Sequence, residues 1–197
     1  MAKQRFLLTG TGGQGLILAA IILAEAGIKA DRNVAQSQSY GPEARGGACR
    51  AEVIIGNEII HYPKVEKPDF ALTLSQEAYK KYGLNLNEEA VLIVDNSYVP
   101  EVKPRLRNLY SLPITRTARN EFGSEQSANM VALGAVTVLS GVVPFENIQE
   151  AVRQRAPKGT VDRNLKALKL GWNLGLEEGA ILIPKQGLIE GDQQCRI

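Results

Sequence analysis

Cysteine and histidine are nearly absent from this chain. Cys49 and Cys195 are its only cysteines and His61 its only histidine, in 197 residues. The two cysteines lie far apart and form no C-x-x-C pair. An iron–sulfur cluster usually takes four thiolates, so the chain cannot hold one by itself. A disulfide between them has little to support it in a reducing compartment. A single histidine excludes both a multi-histidine metal site and catalysis by a histidine pair. Excess charge is missing as well: the formal net charge is +2, and lysine and arginine are scattered without a basic block. That argues against a nucleic-acid or polyanion binder. Long hydrophobic runs are also absent. The most apolar stretch, Leu16–Ala24, is far shorter than the ~20 residues that cross a bilayer. The apolar run after the basic Met1–Arg5 is broken at once by Gly10, Gly12 and Gly13, so no secretory signal is read. The expectation is a cytoplasmic protein that touches neither membrane nor nucleic acid.

What is present is an ordinary globular composition, 44% hydrophobic and 22% charged, at a length that suits one domain with a proper core. Buried strands are expected at Arg5–Thr9, Phe70–Leu74 and Val91–Val94, with a short one at Asn33–Gln36 and a further one at Leu109–Ile114. Arg50–Ile55 and Glu58–Tyr62 read as a hairpin around Gly56-Asn57, a dipeptide suited to turn positions with positive φ. Helices are expected at Leu16–Gly27, Gln76–Tyr82 (capped by Ser75), Ala128–Leu139, Phe145–Arg155 and Val161–Glu178. Apolar strands separated by helices imply an α/β fold: a mostly parallel sheet with helices on both faces and a β-hairpin insertion. Residues 1–186 form that single domain, and 187–197 read as a tail. Ligands of such sheets sit beyond the carboxyl ends of the strands, which directs attention to the loops there.

The first of these loops, Gly10-Thr11-Gly12-Gly13-Gln14-Gly15, satisfies G-x-G-x-x-G between a strand and a helix. Glycines there allow a tight turn and close approach of a phosphate to the helix N-terminus. A dinucleotide site needs in addition an acid at the end of the second strand, ~20 positions on. That strand ends Ala35-Gln36-Ser37-Gln38 and carries none. A Walker loop needs Gly-Lys-Ser/Thr, whereas Gly15 is followed by Leu16 and Ile17. Packing of helix on sheet explains Gly15 but not four glycines in six residues.

The second loop, Ser37–Gly47, follows the second strand and carries Gly41-Pro42 and Gly46-Gly47. The paired glycines allow backbone amides to converge on an anion. Arg45 could clamp a phosphate or carboxylate, Tyr40 could stack on a planar group, and Ser39 adds a hydroxyl. The plainer reading makes Arg45 and Glu43 a surface pair and Tyr40 a cover for the sheet edge. The residues alone leave both open.

Gly10–Gly15 together with Gln36-Ser37-Gln38-Ser39-Tyr40-Gly41-Pro42-Glu43-Ala44-Arg45-Gly46-Gly47 closely resembles the gamma subunit of 2-oxoacid:ferredoxin oxidoreductases. The likeness continues through Tyr62-Pro63-Lys64-Val65, Lys67-Pro68-Asp69, Leu74-Ser75-Gln76-Glu77-Ala78, Asn129-Met130 and Pro157-Lys158-Gly159-Thr160. The Ser-Gln-Ser-Tyr-Gly-Pro-Glu and Leu-Ser-Gln-Glu-Ala strings are similar to the 2-oxoglutarate branch, with the pyruvate branch as the alternative. Gly187–Ile197 matches nothing in the pattern. The resemblance implies a subunit without catalytic residues of its own, inactive alone, in a complex that oxidises a 2-oxoacid with coenzyme A and ferredoxin. Thiamine diphosphate, Mg and the iron–sulfur cluster would belong to the other subunits. Expected partners are the alpha and beta subunits, with a delta subunit in some forms, and ferredoxin indirectly; isolated, the chain is a candidate homodimer. The candidate ligand-binding residues are Gly10, Thr11, Gly12, Gly13, Gln14, Gly15, Ser39, Tyr40, Arg45, Gly46 and Gly47. The rival class is a self-sufficient dinucleotide-dependent reductase.

Overall fold

The first strand, β1 (Gln4–Thr11), is apolar from Phe6 to Leu8 and has a different kind of neighbour on each side. The computed structural model describes residues 2–38, 48–103 and 107–179. In chain order the elements are β1, α1 (Leu16–Lys29), β2 (Asn33–Gln38), β3 (Ala48–Gly56), β4 (Phe70–Thr73), α2 (Gln76–Tyr82), β5 (Val91–Asp95), β6 (Asn108–Leu112), α3 (Ile114–Phe122), α4 (Ala128–Ser140), α5 (Phe145–Arg155) and α6 (Val161–Gly179). One six-stranded sheet has the order β2-β3-β1-β4-β5-β6. The pairs β1–β4, β4–β5 and β5–β6 are parallel, while β3 runs antiparallel to both β1 and β2.

The α/β fold with a mostly parallel sheet is therefore as expected, and the hairpin is present in a different place. Arg50–Ile55 does not pair with Glu58–Tyr62. β3 is already bonded to β1 on one edge and β2 on the other, so neither edge is left for residues 58–62. The hairpin joins β2 to β3 instead. The strand expected over Leu109–Ile114 stops at Leu112, and Ile114 opens α3, a helix the pattern reading did not anticipate. The boundary at 186 and the tail 187–197 lie outside the described residues.

Helices cover the two faces unequally. Phe6, Leu8, Val53, Ile55, Leu72, Ile93 and Leu112 point to the face packed by α1 and α4, in the main core. Leu7, Ile54, Ala71, Leu92 and Val94 point to the other face, covered by α2 through Tyr79 and by the segments carrying Val65 and Val99. This alternation along each strand is the period-two rule at work. Among the described residues no helix is long and apolar enough to cross a membrane.

The thick face has two helical layers, with α6 lying over α4. Their approach is set by one glycine on each helix. A Cβ at Gly171 would sit 1.7 Å from the Val131 carbonyl oxygen, and one at Gly134 would sit 2.1 Å from that of Leu168. Both obstacles are backbone, which cannot step aside as a side chain can. Gly171→Ala gains helix propensity of ~1 kcal/mol yet should still destabilise the subunit by about 1–3 kcal/mol, because the helices must separate. A lowered midpoint of chemical unfolding is the expected result.

Candidate functional site

After β1 the chain turns toward β2 through α1, and after β4 it turns toward β5 through α2. Those two directions are opposite in the sheet order, and the two helices lie on opposite faces. The sheet therefore has its topological switch point between β1 and β4, where a crevice opens beyond the strand ends. Residues 10–15 lie on the β1 side of that crevice, and Leu74-Ser75 on the β4 side.

Gln14 spans it. Its side-chain carbonyl accepts from the Thr11 N–H at 2.7 Å, and its amide donates to the Leu74 carbonyl at 2.9 Å. The Gln14 N–H returns to the Thr11 carbonyl at 3.3 Å, closing the turn. Three of the glycines now have separate reasons. A Cβ at Gly10 would stand 2.3 Å from Gln14 Oε1, so Gly10 makes room for the brace. Gly15 has φ +72 and ends the loop before α1, and a Cβ there would meet Asn129 Nδ2 at 2.4 Å. That same nitrogen donates to the Gly15 carbonyl at 3.3 Å, tying the loop to α4. Gly13 has φ +91 with nothing within 4 Å of its missing Cβ, so backbone conformation alone demands glycine there.

Gly12 and Gly13 are exposed, and their amides carry no hydrogen bond among the described residues. Gly13 borders a cavity of about 270 Å³ whose lining also includes Gln14, Gly15, Leu74, Thr115, Glu125, Gln126 and Ala128. α1 has no side-chain cap at its first turn, so its positive end is open where it reaches this space, whereas α4 continues from the turn Glu125–Ser127, which the Ser124 hydroxyl caps. The first turn of α3 is closed differently. Buried Asp95, at the end of β5, accepts from the Thr115 N–H at 3.2 Å, from the Thr115 hydroxyl and from the Ser97 N–H at 3.1 Å.

Glu125 is the one acid on the cavity wall. It is engaged by the Arg119 guanidinium and by the Tyr98 hydroxyl, which donates at 2.8 and 3.0 Å. The Arg119 hydrogen bond first, and that of Tyr98 second, hold the Glu125 carboxyl below its ordinary value. The same contact with Glu125 raises the Tyr98 phenol. Neither Glu125 nor Thr115 was singled out from sequence; both reach the cavity through tertiary placement of α3 and the turn before α4.

The arrangement does not suit a dinucleotide. The strands beside β1 are β3, which is antiparallel, and β4, which runs into Leu74-Ser75-Gln76 with no acid. β2, where the ribose-binding acid was sought, is one strand further out and ends in Gln38. No group of three or more His, Cys, Asp or Glu among the described residues could hold a metal ion. Cys49 is half-buried on β3 with no second cysteine among the described residues, which does not fit a cluster needing four thiolates.

Ser39, Tyr40, Arg45, Gly46 and Gly47 lie outside the described residues. The strand ends that flank them are well placed, however. Gln38 is opposite Ala51, and Ala48 is opposite Thr11, so the chain re-enters the sheet directly beside the glycine loop.

The family described as pyruvate ferredoxin/flavodoxin oxidoreductase matches residues 5–174. The chain belongs to this family. It is 43% identical to the 2-oxoglutarate synthase subunit KorC of Methanocaldococcus jannaschii, over 89% of this chain and 95% of that one. It is also 43% identical to a solved keto/oxoacid ferredoxin oxidoreductase gamma subunit from Geobacter sulfurreducens, with a TM-score of 0.79 over 88% and 99% of the two chains. A 2-oxoglutarate:ferredoxin oxidoreductase chain of Magnetococcus marinus contains the same fold. There the TM-score is 0.81 at 20% identity, over 96% of this chain and 33% of that one.

Two outcomes are expected at this site. Gln14→Ala removes both bracing hydrogen bonds, at a cost of about 1–2 kcal/mol, and should speed hydrogen exchange of the Thr11 amide; unchanged Thr11 protection would contradict the brace. Because the folded Glu125 titrates below its unfolded value, its contribution to stability is present above the ordinary carboxylate range and is lost as pH falls through the folded value. Arg119→Ala should move the Glu125 titration, followed by NMR, back up.

Proposed function

We propose that this chain is the gamma subunit of a 2-oxoglutarate:ferredoxin oxidoreductase. Within that complex it takes part in coenzyme A-dependent oxidative decarboxylation to an acyl-CoA, with reduction of ferredoxin. The observation that carries this is the 43% identity to the 2-oxoglutarate synthase subunit over 89% of this chain. The site agrees with a subunit that binds rather than reacts. Its cavity is bordered by the Gly13 backbone and by the uncapped start of α1, beside Thr115 and Glu125.

The glycine loop and the loop holding Ser39, Tyr40, Arg45, Gly46 and Gly47 act together on this reading. The pairing of Ala48 with Thr11 supports it, since the second loop returns to the sheet beside the first. Amides of Gly12 and Gly13 suit the phosphates of coenzyme A, and Arg45 would add a fixed charge. Thiamine diphosphate, Mg and the iron–sulfur cluster reside on the alpha and beta subunits, with ferredoxin meeting those chains. The assembly works in the cytoplasm.

Reconstitution with the other subunits tests the proposal. The complex should turn over 2-oxoglutarate in preference to pyruvate, and the purified chain alone should neither decarboxylate a 2-oxoacid nor reduce ferredoxin. Arg45→Ala in the complex should raise KM for coenzyme A about tenfold, the loss of roughly one charge-assisted hydrogen bond, with kcat little changed. Preference for pyruvate would move the chain to the other branch, and turnover by the chain alone would defeat the subunit reading.

A further inference from the structure

At the opposite end of β1, roughly 20 Å from the glycine loop by strand rise, a second depression of about 390 Å³ opens. Its wall carries Lys3, Arg5, His61, Lys64 and Lys67 against a single acid, Glu66. Nothing in the cavity at the switch point uses it.

The floor is fixed from below. Glu52, buried on β3, accepts from the Val65 N–H at 3.3 Å, from Lys64 Nζ at 3.4 Å and from the Ser37 hydroxyl at 2.5 Å. Val65 packs with Leu7 and Ile54. The segment between β3 and β4, which has no regular structure, is thus held as a preformed wall. This accounts for Lys64 and Val65, and it removes Lys64 from the charges a ligand would meet.

The other cations are held loosely. Lys3 pairs at 3.4 Å with Glu58, which is 74% exposed. Asp69 accepts the Arg5 backbone N–H at 2.8 Å and meets the guanidinium only at 3.5 Å. Lys67 has no ion-pair partner among the described residues. Exposed pairs of this kind are worth little, so exchanging their partners costs little. Tyr62, in the lining, is 59% exposed, and Ile59, the residue before the lining Ile60, is 69% exposed. Glu58 and Asp69 pair with Lys3 and Arg5 from outside the groove and do not line it, so the lining itself carries Lys3, Arg5, Lys64 and Lys67 against Glu66, with Tyr62 and Ile60 as its apolar part.

We infer that this groove docks an acidic segment of a partner subunit, its carboxylates meeting Lys3, Arg5 and Lys67 and an apolar side chain lying against Tyr62 and Ile59. The inference rests on the chain being a subunit of a larger oxidoreductase. Charge complementarity selects the partner, and the aromatic rim supplies the apolar contact that surface ion pairs lack.

Glu66 and Lys67 are adjacent, exposed and opposite in sign, which allows a test by direction. Association of the full-length chain with its purified partner subunits is measured at low and high salt. Lys67→Glu should slow association about tenfold at low salt, with the difference shrinking at high salt. Glu66→Lys should speed it, and Tyr62→Ala should hasten dissociation. Unfolding midpoints close to the wild type would show that neither charge change acts through the fold. Unchanged association in both charge variants overturns the inference. So does a change confined to self-association of the isolated chain, or one confined to KM for coenzyme A. If the wild-type chain joins no partner at all, the subunit reading itself fails, which is a different result.

Discussion

The structure depends on the divergence of the chain at the ends of β1 and β4. α1 leaves β1 over one face, and α2 leaves β4 over the other, each heading away from the other strand. A gap at that point is unavoidable, and something must hold its two sides in register. Gln14 does so with one side-chain amide, bonded to Thr11 on one side and Leu74 on the other. The consequence for chemistry is direct. The Thr11 and Gln14 amides are used inside the loop, and those left toward solvent are the Gly12 and Gly13 amides, beside the uncapped start of α1. Part of the loop's donor set is thus spent on rigidity.

This explains how a G-x-G-x-x-G string can be real and yet not mark a dinucleotide site. The motif specifies a turn and a helix start, and both are present. The ribose contact requires the strand reached through α1 to lie next to β1, and here the antiparallel β3 stands between β1 and β2. The missing acid seen in the sequence and the intervening strand seen in the structure are two signs of the same difference.

Local features were legible from the residues: strands with apolar runs, the Ser75 cap, the helix after Pro144, and the glycine loop between strand and helix. What could not be read was pairing. That β3 would slip between β1 and β2 is a non-local choice, and the turn signal at Gly56-Asn57 suggested a nearer partner for it. The signal was not false, since β3 does end at Gly56; the partner was wrong because both edges of β3 were already filled. The missed helix α3 had its own signature. Ile114, Ala118 and Phe122 recur every four residues, and Gly123 closes the helix at φ +63. Apolar residues running from β6 into its first turn hid the boundary. Glu125 and Thr115 escaped for the same reason, since their relation to the glycine loop exists only after α3 has folded back over the strand ends.

The two ends of β1 also constrain how the subunit can act. Between the basic groove and the glycine edge runs β3, bonded on both sides over residues 51–55, with Glu52 fixed beneath it to Ser37, Lys64 and the Val65 amide. Signalling between distant sites needs an element with two arrangements of similar energy. A doubly paired strand anchored by a buried, bonded carboxylate is poorly suited to that, because shifting its register would turn Val53 and Ile55 out of the core and leave Glu52 unpaired in an apolar layer. The α4–α6 layer is equally unforgiving, its spacing fixed by backbone contact at Gly134 and Gly171. The described body of the subunit therefore behaves as a rigid spacer. On the proposed reading, docking at the groove would set where the glycine-loop edge is presented, and the two ends would move as a unit.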